Sequence, residues 1–377
     1  MSDKTNLHSM RRSILRSITR QGFRLSNGQI QLPDLLDKET IRRLNNLAVQ
    51  SKREKSAQSL SRHEDRLIQY IADGDEIDPG VFEPLLVPVL PDSEEELLFR
   101  YVSLHWSIPV SSGYGRRLRF LLMDVSSGKL VGILGLGDPV FSIKARDEWI
   151  GWDVETRSQN LYHVMDAFVL GAVPPYSQLL CGKLVALIAL SREVREVFKR
   201  KYDGKEALIS GKVRKPILAL LTTTSALGRS SIYNRIHING TIAWNSLGFT
   251  KGTGEFHFAN GNYDAIRDYV EQHCVPTAKQ EDWGGGFRNR REVVRKCLAS
   301  LGLPSSLIHH GIHREVFAAP LGIKALAFLR GETKNPSLLT WSVADLGEYF
   351  KHRWFLKRAQ SRPEFRQFNK NSYRLWP

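Results

Sequence analysis

The chain has 377 residues, 42% of them apolar and 25% charged, and a net charge of +15. This length exceeds what one hydrophobic core usually supports, and the composition excludes wholesale disorder, so a soluble protein of two or three domains is expected. No apolar run approaches the roughly 20 residues of a membrane span, residues 1–30 lack a signal-peptide core, and Cys181, Cys274 and Cys297 are too scattered for a disulfide framework; a cytoplasmic protein with no membrane partner is expected.

The charge is uneven. Residues 1–66 carry +7 and residues 286–377 carry +11, while the stretch between them carries −3. Two basic ends around a near-neutral centre suggest a polyanion as partner, and nucleic acid is the expected one, DNA in preference to RNA.

Residues 1–78 read as a basic helical N-terminal region. Its clearest piece starts at Asp37, a candidate N-cap, with Glu39 and Arg43 four apart and Leu44, Leu47, Leu67, Ile68 and Ile71 as a partial apolar face. Residues 79–100 read as a proline-rich linker or extended crossing, in the stretch "IDPGVFEPLLVPVLPDS" that starts at Ile77, followed by a short helix.

Residues 101–280 read as a central α/β domain, an α+β mixed sheet. "LRFLLMDV" and "KLVGILGLG" flank the turn "SSGK" and predict an antiparallel hairpin. "AFVLGAV" and "PILALLTTT" are continuous apolar runs, the signature of strands covered on both faces. A helix is expected between them from about Gln178 to Tyr202, burying Val185, Ile188, Ala189, Arg192 and Arg195. A helical stretch from Ser230, a turn at "LGF" and a strand at "GEFHF" follow. Residues 281–377 read as a basic helical C-terminal domain entered through a glycine hinge at "EDWGGGFRNRR".

Four places invite chemistry. "LLCGKL" places Gly182-Lys183 at the start of a helix but lacks the glycine-rich backbone of a phosphate loop, so no nucleotide cofactor, and no cofactor of any kind, is expected. The acids Asp147, Glu148, Asp153 and Glu155, beside Trp149 and Trp152, have the residue types of a Mg²⁺-dependent nuclease-like or transposase-like site. The simpler expectation is a packed turn whose acids pair with Arg146 and Arg157. "TTTSALGRSSIYNR" could hold an anion with Arg229, Ser230 and Ser231, helped by Arg116 and Arg117 if they lie close in space; the plain alternative is a strand end with a serine N-cap. His309, His310 and His313, with Cys297, do not have zinc-site spacing, so no metal is expected.

The C-terminal stretch carries the expected nucleic-acid contacts: Lys351, Arg353, Trp354, Lys357, Arg358, Arg362 and Arg366, followed by Arg374 among Phe355, Tyr373 and Trp376. Cations neutralise phosphates and rings stack on unpaired bases. The alternative is an amphipathic helix with buried rings and a solvated basic face.

Two resemblances follow from these residues. The order of strand, Val-Pro, turn, long helix and strand, ending in "IYNRIHINGTIAWNSLGF", is similar to the core of acyl-CoA N-acyltransferases. That resemblance implies a turn Gln/Arg-x-x-Gly-x-Gly/Ala and a tyrosine general acid. Here the turn is Gln178 to Lys183, with Cys181 and Lys183 at the glycine positions, and Tyr233 is the nearest tyrosine. A second resemblance covers almost the whole chain: "LFRYVSLHWSIPVSSGYGRRLRFLLMD", "GILGLGDPVFSIKARDEWIGWD", "VMDAFVLGAVPPYSQLLCGKLVALIALS", "TTTSALGRSSIYNRI" and "LPSSLIHHGIHREVFAAPLG" resemble the DruA family of Druantia anti-phage systems. It implies a component of a multi-protein bacterial defence system that includes a helicase-like subunit, and supplies no catalytic residues. The resulting expectation is a nucleic-acid-binding or partner-binding accessory subunit, with an acyltransferase-like or metal-dependent nuclease activity as the enzyme alternatives.

Overall fold

The protein is described here from a computed structural model, which covers residues 2–111, 115–206, 211, 213–277, 287 and 289–376. The chain opens with a helix, Ser2–Arg20, and a small hairpin of β1 (Arg24–Ser26) and β2 (Gln29–Gln31), a non-helical break that the N-terminal reading did not foresee. The next helix, Lys38–Leu60, starts where expected: the Asp37 side chain accepts from the Thr40 amide at 2.7 Å. Its first-turn pair is Glu39 with Arg42, one residue earlier than the four-apart partner Arg43, and Leu47 is exposed while Leu44, Leu67, Ile68 and Ile71 are buried.

The proline-rich stretch is an edge strand, β3 (Pro84–Pro88), followed by the helix Glu94–Ser103. Proline is tolerated at a sheet edge because an outward N–H is not needed there. β4 (Arg117–Asp124) and β5 (Lys129–Gly137) form the predicted antiparallel hairpin. β6 (Val164–Ala172) and β7 (Leu220–Thr224) pair in parallel, with Asp166 opposite Thr222. A two-residue ladder of β8 (His237–Ile238) and β9 (Thr241–Ile242) precedes β10 (Asn245–Phe249). The last strand, β11 (Glu315–Pro320), comes from the region read as a basic helical domain. It lies between β10 and β7, completing a seven-stranded mixed sheet in the order β10-β11-β7-β6-β5-β4-β3. Six short residues covered on both faces carry too little periodicity to tell strand from helix.

The helix expected from Gln178 to Tyr202 is two helices. Cys181–Ile188 ends at a turn, and Ser191 caps Arg192–Tyr202; Arg195 is buried but Arg192 is exposed. The first helix packs tightly on β5 because Gly132 has no side chain: a Cβ there would meet Val185 at 2.8 Å and the Gly171 carbonyl at 2.4 Å. "LGF" is part of β10, the stretch from Ser230 makes only a 3-10 turn, Tyr233–Arg235, and "GEFHF" makes another, Phe256–Phe258. Residues 281–286 and 288 of the expected glycine hinge lie outside the described residues.

One sheet face is covered by the helices Cys181–Ile188 and Val343–Phe350, through Leu184, Leu187, Leu346 and Phe350. The opposite face is covered by Glu94–Ser103 toward β4 and by Lys144–Ile150 and Ala325–Leu329 toward β7 and β11. A separate apolar core joins Ile14, Ile18 and Ile41 to Ile266, Val270, Val294 and Leu298, so the N-terminal helices pack with Tyr263–His273 and Arg290–Ser300. The basic C-terminal region is thus divided among that helical core, the sheet and the surface beside it.

Candidate nucleic-acid interface

The stretch predicted to contact nucleic acid begins with a well-specified helix. Ser342 and Asp345 form a reciprocal capping box, and Val343–Phe350 follows. The helix then widens into a π-helical turn, Lys351–Phe355, before returning to α in Leu356–Ser361. Such turns re-aim side chains and recur at functional sites. Phe350 and Phe355 are fully buried, with Phe355 against Phe82 at 4.5 Å between ring centroids. This apolar anchorage leaves the cations on the other side: Arg353, Lys357, Arg362 and Arg366 are exposed. Lys351 donates to the Phe82 carbonyl at 3.4 Å and Arg358 to the Gln178 carbonyl at 3.1 Å. Among the described residues, none of these six cations has a carboxylate within ion-pair distance; the adjacent Glu348 pairs with His352 at 3.2 Å.

Trp354 is half-buried. Its ring meets Tyr349 edge-on at 5.7 Å and Phe350 at 6.0 Å, and the Lys183 ammonium lies 4.7 Å from its centroid. The predicted stacking ring therefore already has a cation over it. Lys183 was read as part of a turn that fails as a phosphate loop, and nothing in the sequence links it to residue 354.

Three residues of the second predicted set, Arg116, Arg117 and Ser230, have partners of their own within the protein. Arg116 stacks on Tyr162 at 4.4 Å and is consumed by Asp138 at 2.7 Å and by the carbonyls of Tyr162 and Val164. Arg117 is joined to Tyr202 through its backbone. Ser230 uses its hydroxyl to accept from the Ile232 and Tyr233 amides ahead of the 3-10 turn Tyr233–Arg235, whose own N-cap position is Ile232. Its own amide donates at 3.0 Å to the buried carboxylate of Glu315, which also receives Ser246 at 2.8 Å. The anion at this strand end is thus the protein's own. Arg229 and Ser231 are exposed.

Asp147 is held by Arg146 at 2.7 Å and Arg157 at 3.0 Å, and the Arg146 guanidinium, fully buried, also donates to the Val140 and Phe141 carbonyls. Asp153 caps a helix by accepting from the Thr156 amide at 2.7 Å, and Glu148 pairs with Lys144 at 3.5 Å. Among the described residues no group of three or more His, Cys, Asp and Glu is placed to hold a metal ion. The Tyr233 ring lies between Trp244 and Phe317, at 5.3 and 4.9 Å, and burial pushes its hydroxyl up to about 12. Burial likewise raises the thiol of Cys181, and His310 accepts from the Ile312 amide within the fold.

The family described as Druantia protein DruA matches residues 35–331. The Druantia protein DruA of Escherichia coli (strain UMEA 4076-1) is 40% identical over 314 residues, which cover 82% of this chain and 75% of that protein. No solved structure matches.

Proposed function

The chain belongs to the Druantia protein DruA family, and from that premise we propose that it binds nucleic acid through its C-terminal basic face, as an accessory to a helicase-like subunit. Family membership makes it a component of a Druantia anti-phage defence system. The observation that carries the nucleic-acid reading is the row Lys351, Arg353, Lys357, Arg358, Arg362 and Arg366, without a carboxylate in ion-pair reach among the described residues. Some cations elsewhere are paired within the protein, Arg119 with Glu96 at 2.6 Å, Lys55 with Asp264 and Arg330 with Glu332, and the C-terminal row differs from these. A cation row left unneutralised within the protein is complementary to a polyanion. Less supports the enzyme alternatives, since Tyr233 is enclosed by aromatic rings and Asp147 is neutralised by two guanidiniums.

The test is a salt titration of the purified full chain with fluorescein-labelled DNA. Neutralising several phosphates releases counterions, so affinity falls by roughly 10³-fold or more between 50 and 200 mM salt for about six contacts. Lys357→Ala/Arg358→Ala/Arg362→Ala flattens that slope and weakens all sequences alike, because phosphate contacts carry no base information. Equal binding by wild type and the triple variant at low salt, for DNA and RNA alike, removes the reading.

A further inference from the structure

Two parts of the chain meet at Trp354, and a third packs beside them. Lys183 comes from the first turn of Cys181–Ile188, Arg235 from the 3-10 turn Tyr233–Arg235, and Arg353 from the π-helical turn. Their meeting is built by packing: a Cβ on Gly182 would touch Ile232 at 3.4 Å, Trp244 donates its indole N–H to the Ala186 carbonyl at 3.1 Å, and the Tyr349 hydroxyl donates to the His237 carbonyl at 2.7 Å. Helix, 3-10 turn and π-helical turn are therefore fixed to one another. Over the Trp354 ring sit Lys183 at 4.7 Å and the Arg353 guanidinium at 5.8 Å.

Like charges held together are unfavourable unless something opposite joins them. Lys183, Arg235 and Arg353 have no carboxylate within ion-pair distance among the described residues. Partial burial, then the neighbouring Arg235 and Arg353 charges, hold the Lys183 ammonium below the usual lysine range. A fold that sets two cations on an aromatic ring, with Arg235 on the adjoining 3-10 turn and no acid in ion-pair reach among the described residues, leaves the counter-charge to a ligand. We propose that Lys183, Arg235 and Arg353 form a phosphate-binding cluster for the phosphodiester backbone of nucleic acid, with Trp354 as the positioning residue that fixes Lys183 by a cation–π contact. This rests on the nucleic-acid reading of the C-terminal face and extends that face onto the helix Cys181–Ile188, beside the turn where Arg358 donates to the Gln178 carbonyl.

The experiment uses the full chain and labelled DNA, with Lys183→Met, which keeps the stem on the indole, and Arg235→Met. Each lowers the slope of log affinity against log salt by about 0.9, the counterion release of one phosphate, with the melting temperature unchanged. Lys183→Met adds nothing further in a Trp354→Leu background but retains its effect in Trp354→Phe, which separates positioning from packing. Inorganic phosphate at the DNA's phosphate concentration does not compete, since a polymer and not the free ion satisfies three cations. If wild type binds DNA, Lys357→Ala/Arg358→Ala/Arg362→Ala weakens it and Lys183→Met and Arg235→Met leave the slope unchanged, this cluster is wrong while the C-terminal reading stands. If wild type shows no salt-dependent binding, both fall. Loss of an acidic protein partner by Lys183→Met with DNA binding intact also overturns the assignment.

Discussion

The buried carboxylate of Glu64 accepts a 2.6 Å hydrogen bond from the backbone amide of Leu375, across 311 residues of sequence. The same carboxylate receives the Trp376 amide at 3.2 Å and the Tyr101 hydroxyl at 2.9 Å. Arg374 adds an ion pair to Asp65 at 2.7 Å, Lys370 one to Asp73 at 3.1 Å, and Gly74 donates to the Phe368 carbonyl at 2.8 Å. The last turn of the chain is therefore a strap over the segment 64–76. Gly74 is required there, because a Cβ would lie 2.0 Å from the Phe365 carbonyl oxygen. Of the basic residues the sequence places at this end, Lys370 and Arg374 serve the strap, and the exposed row lies before them.

Glu64→Ala removes the acceptor and leaves buried donors unmatched, costing about 2–4 kcal/mol. Urea unfolding measures it. Glu64→Gln keeps one acceptor oxygen and costs less, and DNA affinity at low salt is unchanged in both. A Glu64→Ala protein as stable as wild type would show that the strap is not anchored there.

The acids round Asp147 give a stability result. Asp147→Ala leaves the fully buried Arg146 guanidinium without its counter-charge, at about 3–5 kcal/mol, the range for breaking a buried pair on one side. Both carboxylate oxygens are occupied by arginines, so Mg²⁺ or Mn²⁺ leaves the wild-type melting temperature where it is. Metal-dependent DNA cleavage abolished by Asp147→Asn in a folded protein would return these acids to catalysis.

Much of the fold was legible in the sequence. The hairpin of β4 and β5 was announced by two apolar runs around "SSGK", the β6 and β7 runs read as covered strands, and Asp37 read as a cap. These signals are local. What stayed hidden depends on non-local pairing: β11 inserts between β7 and β10 on six residues, and Glu315 at its start answers the Ser230 amide. An anion-binding pattern of hydroxyls and arginines looks the same in sequence whether its anion is a ligand or the chain's own glutamate. The basic C-terminal row was legible as charge. Its junction with Lys183 was not, because only the packing of Cys181–Ile188 against the π-helical turn brings Lys183 onto Trp354.

Acid lowers stability through buried histidines. Burial holds His105 down to about 3, His257 to about 4 and His310 to about 3, so each is neutral when folded, whereas the unfolded imidazole titrates near 6.5. Folded values below unfolded ones mean that their contribution is intact above about pH 6.5 and is lost as the pH falls toward 4, because the unfolded chain then binds protons that the folded chain refuses. Asp166 acts oppositely: burial raises its carboxyl to about 6, which favours the folded state as the pH falls between about 6 and 4. Burial also lowers His163, so the buried histidines outweigh the one raised carboxyl and the melting temperature falls below pH 6. His105 stacks on Tyr373 at 3.6 Å and its Nε2 has no hydrogen-bond partner among the described residues, so His105→Phe keeps the stack and removes the titration. The variant is close to wild type at pH 7.5 and more stable at pH 5. Parallel pH curves for the two proteins would exclude His105 as a contributor.

Trp354 decides between base stacking and positioning. A ring that stacks on unpaired bases contributes about 1–3 kcal/mol per base and favours single strands over duplex. Here the ring is half-buried against Tyr349 and Phe350, and Lys183 lies over it at 4.7 Å. Removing it frees Lys183 and opens a gap beside Phe350, so Trp354→Ala lowers the melting temperature, by about 1–3 kcal/mol of stability for a partly buried aromatic, and weakens single-stranded and duplex DNA by the same factor. Trp354→Phe restores most of both, because a smaller ring still carries the cation. The measurement is a pair of anisotropy titrations at one salt concentration, on a single strand and on its duplex. A loss confined to the single strand, with the melting temperature unmoved, would mean that the indole swings out to stack on a base and that Lys183 reaches phosphate without it.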